Sequence, residues 1–87
     1  MILKCFSVFD AKAECYYPPF FNTTAGLAIR QMENYLRDPN HQFSRSPSDF
    51  TLFELGEYDD GTGMFKNHDV HKNLGVLVQF QAQSKAS

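Results

Sequence analysis

Thr51-Leu52-Phe53-Glu54-Leu55-Gly56-Glu57-Tyr58-Asp59-Asp60-Gly61-Thr62-Gly63-Met64-Phe65-Lys66 reads as a β-hairpin. Phe53 and Leu55 point one way and Leu52 and Glu54 the other, the two-residue period of an extended strand with two distinct faces. Asp59–Gly63 is a run of turn formers, and Met64–Lys66 returns as the partner strand. A hairpin alone is marginal in water, so the rest of the chain must supply further strands and something to cover one face.

Working outward, Asn67–Asn73 reads as a loop. Leu74, Val76, Val78 and Phe80 then alternate with Gly75, Gln79 and Gln81 as a final strand, with Leu77 out of pattern. On the N-terminal side, Pro39–Phe50 is a connection rich in turn formers. Before it lies the clearest helix. Thr23 or Thr24 caps it, and Ala25, Ala28, Ile29, Met32 and Leu36 form one apolar stripe. Asp38-Pro39 stops it. Leu3–Phe9 reads as a strand and Cys15–Tyr17 as a second, which ends or lies at a sheet edge because Pro18 and Pro19 cannot donate to a ladder. The expected fold is α+β: a mostly antiparallel sheet in the order β-β-α-β-β-β with one amphipathic helix packed on it. Residues 1–80 make a single domain, and 81–87 read as a flexible C-terminal tail.

Composition narrows the function. The 87 residues are 43% hydrophobic and include nine Phe. In so small a domain, that many rings imply either one dense core or a partner-facing surface, of which a homodimer interface is the commonest kind. No segment resembles a signal peptide or approaches the length of a membrane span. Two cysteines, Cys5 and Cys15, are too few for a disulfide scaffold and are expected to be reduced. The net charge is −2, but five acids lie between Asp49 and Asp60 with no base among them, so the remainder of the chain carries +3. A positive surface elsewhere is therefore allowed.

Several segments carry a family resemblance. They are Asp10-Ala11-Lys12-Ala13-Glu14, Pro19-Phe20-Phe21, Ala28-Ile29-Arg30, Asp38-Pro39-Asn40-His41-Gln42-Phe43 and, above all, Asp49 through Asp60 with Gly63 closing the turn. Together, over residues 3 to 80, they resemble the small nonstructural protein of gokushoviruses, a subfamily of the microviruses, which are single-stranded DNA phages. The resemblance implies a DNA-binding protein acting in viral single-stranded DNA synthesis or packaging, in the bacterial host's cytoplasm, alongside viral replication or capsid proteins. It supplies no catalytic or binding residues.

The residues themselves offer a candidate surface for single-stranded DNA, which is held by cations along the backbone and by aromatic faces on which bases stack. The cations are Lys4, Lys12, Arg30, Arg37, Arg45, Lys66 and Lys72, and the rings are Tyr16, Tyr17 and Phe43. Phe43–Ser48 is the expected contact loop, with Arg45 among hydroxyls that can donate to phosphate. His68, Asp69 and His71, with His41, form a metal-like grouping, but they lie in an expected loop with no cysteine pair in support, and Asp59–Gly63 lacks the ligand pattern of a calcium loop, so no metal and no cofactor is expected. Neither a phosphate-cradling glycine loop nor a nucleophile elbow is present, and no enzymatic activity is expected. The rival reading is a protein-interaction module whose surplus rings meet a viral or host protein.

Overall fold

A computed structural model describes residues 1–85. The fold is α+β, a five-stranded antiparallel sheet with helices on one face. The strands are β1 (Ile2–Asp10), β2 (Cys15–Tyr16), β3 (Phe20–Asn22), β4 (Phe50–Asp59) and β5 (Met64–Val76). The helices are α1 (Ala25–Leu36), a single turn α2 (Gln42–Arg45) and α3 (Leu77–Lys85), with a short 3-10 turn at Pro47–Asp49. β1 lies inside the sheet, with β4 on one side and both β2 and β3 on the other. β5 forms the far edge beyond β4.

The prolines explain the split edge. β2 pairs with Phe9 and Asp10 and β3 with Lys4 through Phe6; the Tyr17 N–H still donates to the Val8 carbonyl at 2.8 Å, and the ladder breaks at Pro18 and Pro19. There the Ser7 hydroxyl donates to the Tyr17 carbonyl at 2.6 Å, occupying an acceptor that the broken strand leaves unpaired. Both outcomes expected of Pro18 and Pro19 occur together: one strand stops and its continuation stays at the edge.

Phe6 and Val8 from β1 and Phe50 and Leu52 from β4 point to the helical side. Ala28, Met32 and Leu36 of α1 pack on them, together with Phe43, Leu77 and Phe80. The α1 stripe is the one its sequence spacing predicts. Thr24 is the N-cap, its Oγ1 accepting from the Leu27 N–H at 3.2 Å. Replacing Thr24 with Ala removes that acceptor from an exposed helix end. It should cost about 1 kcal/mol, read as a lower denaturation midpoint at unchanged slope.

Four expectations are corrected. The last strand ends at Val76 and gives way to α3; Gly75, at φ +136°, makes the break, and the Leu77/Phe80 spacing buries both side chains. Residues 81–85, expected as tail, continue that helix, while 86–87 lie outside the described residues. The connection at 39–50 is ordered by caps. His41 Nδ1 accepts from the Phe43 N–H at 3.1 Å, and the Ser44 hydroxyl donates to the His41 carbonyl at 2.8 Å. The expected loop at 67–73 belongs to β5, but its pairing is broken. Glu54 faces Lys72 and Gly56 faces Asn67, so residues 68–71 all stand opposite Leu55.

Candidate nucleic-acid interface

Register decides which side chains reach each face of the sheet. Phe6 pairs with Glu54 and Cys5 with Gly56, which leaves Leu55 as a bulge and inverts the alternation of β4 there. Phe50, Leu52 and Glu54 therefore face the helices, whereas Phe53, Gly56 and Tyr58 face the other way. That other face carries no helix among the described residues.

Its rings form two clusters. In the first, Tyr16 packs on Phe9 at 4.9 Å and on Phe53 at 5.9 Å between ring centroids, and His71 joins edge-on at 5.6 Å from Tyr16. The Tyr16 hydroxyl lies 3.2 Å from His71 Nδ1. The second holds Tyr58 and Phe65 at 4.8 Å, with Phe21 at 5.9 Å from Tyr58. Tyr16 is 43% exposed, Phe21 39% and Phe65 63%. The rings pack on one another in tilted and edge-on pairs and keep part of their surface open to solvent, where a base can stack.

The predicted residues do not converge there. Tyr16 is on the open face. Tyr17, one residue on, turns to the helical side against Phe43 and Phe50, and burial pushes its hydroxyl above the usual tyrosine range, helped by Asp10 and Cys15. Phe43, expected on a contact loop, is 4% exposed and belongs to the core. Lys4 and Lys72 lie on the helical face, 3.6 and 3.7 Å from Glu54. Lys12, in the β1–β2 turn, pairs with Asp49 at 3.4 Å. Arg30 is exposed on α1, Arg45 ends α2, and Arg37, the C-cap of α1, donates to Asn34 at 3.1 Å. Lys66 is exposed on the β5 edge strand. Three predicted cations thus neutralise acids of the 49–60 segment instead of facing solvent freely.

Glu54 is the strongest electrostatic feature. It is 2% exposed, and His68 Nε2 meets it at 2.7 Å beside the two lysines. Burial alone would raise its carboxyl, but the His68 hydrogen bond and the charges of Lys4 and Lys72 outweigh that and hold it below the ordinary range. His68 and His71 therefore turn to opposite faces, and among the described residues no group of three potential ligands gathers for a metal. No described helix is long and apolar enough to cross a membrane.

Phe9, Phe53, Tyr58 and Phe65 were not singled out from sequence. The available signal was period two: Phe9 and Phe53 occupy positions alternate to Val8 and Leu52, so both faces of the central strands are apolar.

Comparison with curated proteins and with solved structures gives no match. A family model does match, from the start of the central β1 strand into the last helix, taking in both ring clusters and the Glu54 group. Over residues 3–80 it is the model of the phage ORF5 protein, and the chain belongs to that bacteriophage family.

Proposed function

We propose that the protein is a non-catalytic gokushovirus protein that binds single-stranded DNA without strong sequence preference on the open face of its sheet, in genome synthesis or packaging in the host cytoplasm. One observation carries this reading: seven rings, Phe9, Tyr16, Phe53, His71, Phe21, Tyr58 and Phe65, lie on a sheet face with no helix over it among the described residues. Any base offers a π-face to such a surface, so stacking binds while discriminating little between sequences. Lys12, in the β1–β2 turn, and Lys66, exposed on the β5 edge strand, supply cations at its margins, while Lys72 is held by Glu54 on the opposite face.

Anisotropy of a labelled single-stranded oligonucleotide tests this. Binding is expected at low salt. Its logarithmic salt slope should be shallow, between about −1.4 and −2.1, as for two or three neutralised phosphates on a single strand. Tyr16→Ala should weaken binding by about 1–3 kcal/mol, roughly 5- to 150-fold, with the melting transition retained. No binding at low salt would refute the proposal.

A second reading has its own support. Met64 is 68% exposed and Val70 79%, adding aliphatic surface along β5, and no described cation faces the ring clusters directly. Such a surface also suits a second copy of the chain or another viral or host protein. Salt-insensitive self-association, with no affinity for DNA, would favour it.

A further inference from the structure

The helical side of the sheet carries a separate cavity of about 260 Å³, lined by β1, the Tyr17–Phe20 segment, α1 and α2. It is smaller than the roughly 300–1,000 Å³ of sites for drug-sized ligands, and suits one or two fused rings. Its aromatic wall is Tyr35 stacked on His41 at 4.7 Å and 20°, with Phe43 at 4.7 Å from His41 and Tyr17 at 5.3 Å from Phe43.

Two carboxamides complete the lining. Gln31 Nε2 donates to the Tyr35 hydroxyl at 3.2 Å, and Gln31 Oε1 accepts from Asn22 at 3.3 Å. Exposed Gln42 donates from Nε2 to the Tyr17 hydroxyl. Among the described residues no Asp, Glu, Lys or Arg lines the cavity. A neutral planar ligand is therefore favoured over a phosphate or carboxylate. Beyond these contacts each carboxamide keeps one N–H and one oxygen lone pair, a donor and an acceptor for a ring edge that presents both, as nucleobases do.

We infer that this cavity is a binding site for a single nucleobase, held between the Tyr35/His41/Phe43 wall and the Gln31 and Gln42 amides. It does not depend on the open face, since the two lie on opposite sides of the sheet. The base belongs either to a free nucleoside or to a strand; the chemistry is shared, and the experiment separates the sources.

The test is amide and aromatic NMR of the intact chain, titrated in parallel with adenosine, guanosine, cytidine, thymidine and oligothymidylate. Shifts at the Gln31 and Gln42 side-chain amides and the Tyr35 and Phe43 rings with a nucleoside alone support a free-base site. The same shifts with the oligonucleotide support capture of a base from the strand. Gln42→Ala, at an exposed position, should weaken the cavity response about tenfold and leave any Tyr16 and Phe53 response unchanged. If neither nucleosides nor oligonucleotide move the cavity resonances, the inference is overturned. Shifts confined to Tyr16, Phe53 and their neighbours would overturn it while sustaining the open-face reading. Silence at the open face with shifts in the cavity would do the reverse.

Discussion

Gly56→Ala is expected to lower stability by at least about 3 kcal/mol, lowering the thermal midpoint by about 12–24 °C or leaving no cooperative transition. The reason is close approach of two backbones. A Cβ on residue 56 would collide with the Lys66 carbonyl oxygen and stand 2.9 Å from Asn67 Cα. Both are main-chain atoms in the ladder, so relief requires β5 to move away from β4. That would disturb the Glu57–Lys66 and Gly56–Asn67 pairs beside the point where the register already breaks. Gly61→Ala is the internal control. Its Cβ would meet only the Asp59 side chain, at 3.2 Å in an exposed turn, and its midpoint should stay close to that of the parent. Equal losses from both substitutions would show that a methyl group is costly at either hairpin position and that the close approach at Gly56 does not set the cost.

The hairpin and α1 were legible because each is a local pattern: period two into an Asp-Gly turn, and an apolar stripe behind a Thr cap. What stayed hidden depends on partners distant in sequence. The bulge at Leu55 exists only in relation to β1, yet it decides that Glu54 lies under the helices and Tyr58 outside. α3 is hidden for a different reason. Leu74, Val76, Val78 and Phe80 satisfy a strand with Leu77 out of pattern, but Leu77 and Phe80 are the buried pair at helical spacing while Val78 is 39% exposed. The candidate site suffered most. Grouping Asp49–Asp60 as one acidic cluster hid that Glu54 draws in Lys4 and Lys72 and that Asp49 holds Lys12, so the basic remainder was partly committed to internal pairing.

Glu54 should therefore govern both acid stability and the availability of cations. Its folded-state pKa lies below its ordinary value of 4.5, so the unfolded chain binds its proton more readily. The stabilisation is complete above pH 4.5 and is lost as pH falls through the lower folded value. Glu54→Ala should cost about 3 kcal/mol at neutral pH, the low end for breaking a buried ion pair. The low end applies because Lys4 and Lys72, with 34% and 60% of their side chains exposed, can turn partly to water. Glu54→Gln retains the shape and removes only the charge. Its deficit relative to the parent, measured by denaturation across the acid range, should shrink as pH falls and the parent's own carboxyl takes up a proton. A deficit that stays constant with pH would mean that packing, not charge, makes Glu54 matter. The same variant releases Lys72 at the β5 edge. Under the stacking proposal its salt slope for single-stranded DNA should steepen by about 0.7, the value of one added phosphate contact. A lower stability with an unchanged slope would place Lys72 out of reach of the strand and leave the rings to hold the nucleic acid with the cations of the other margin.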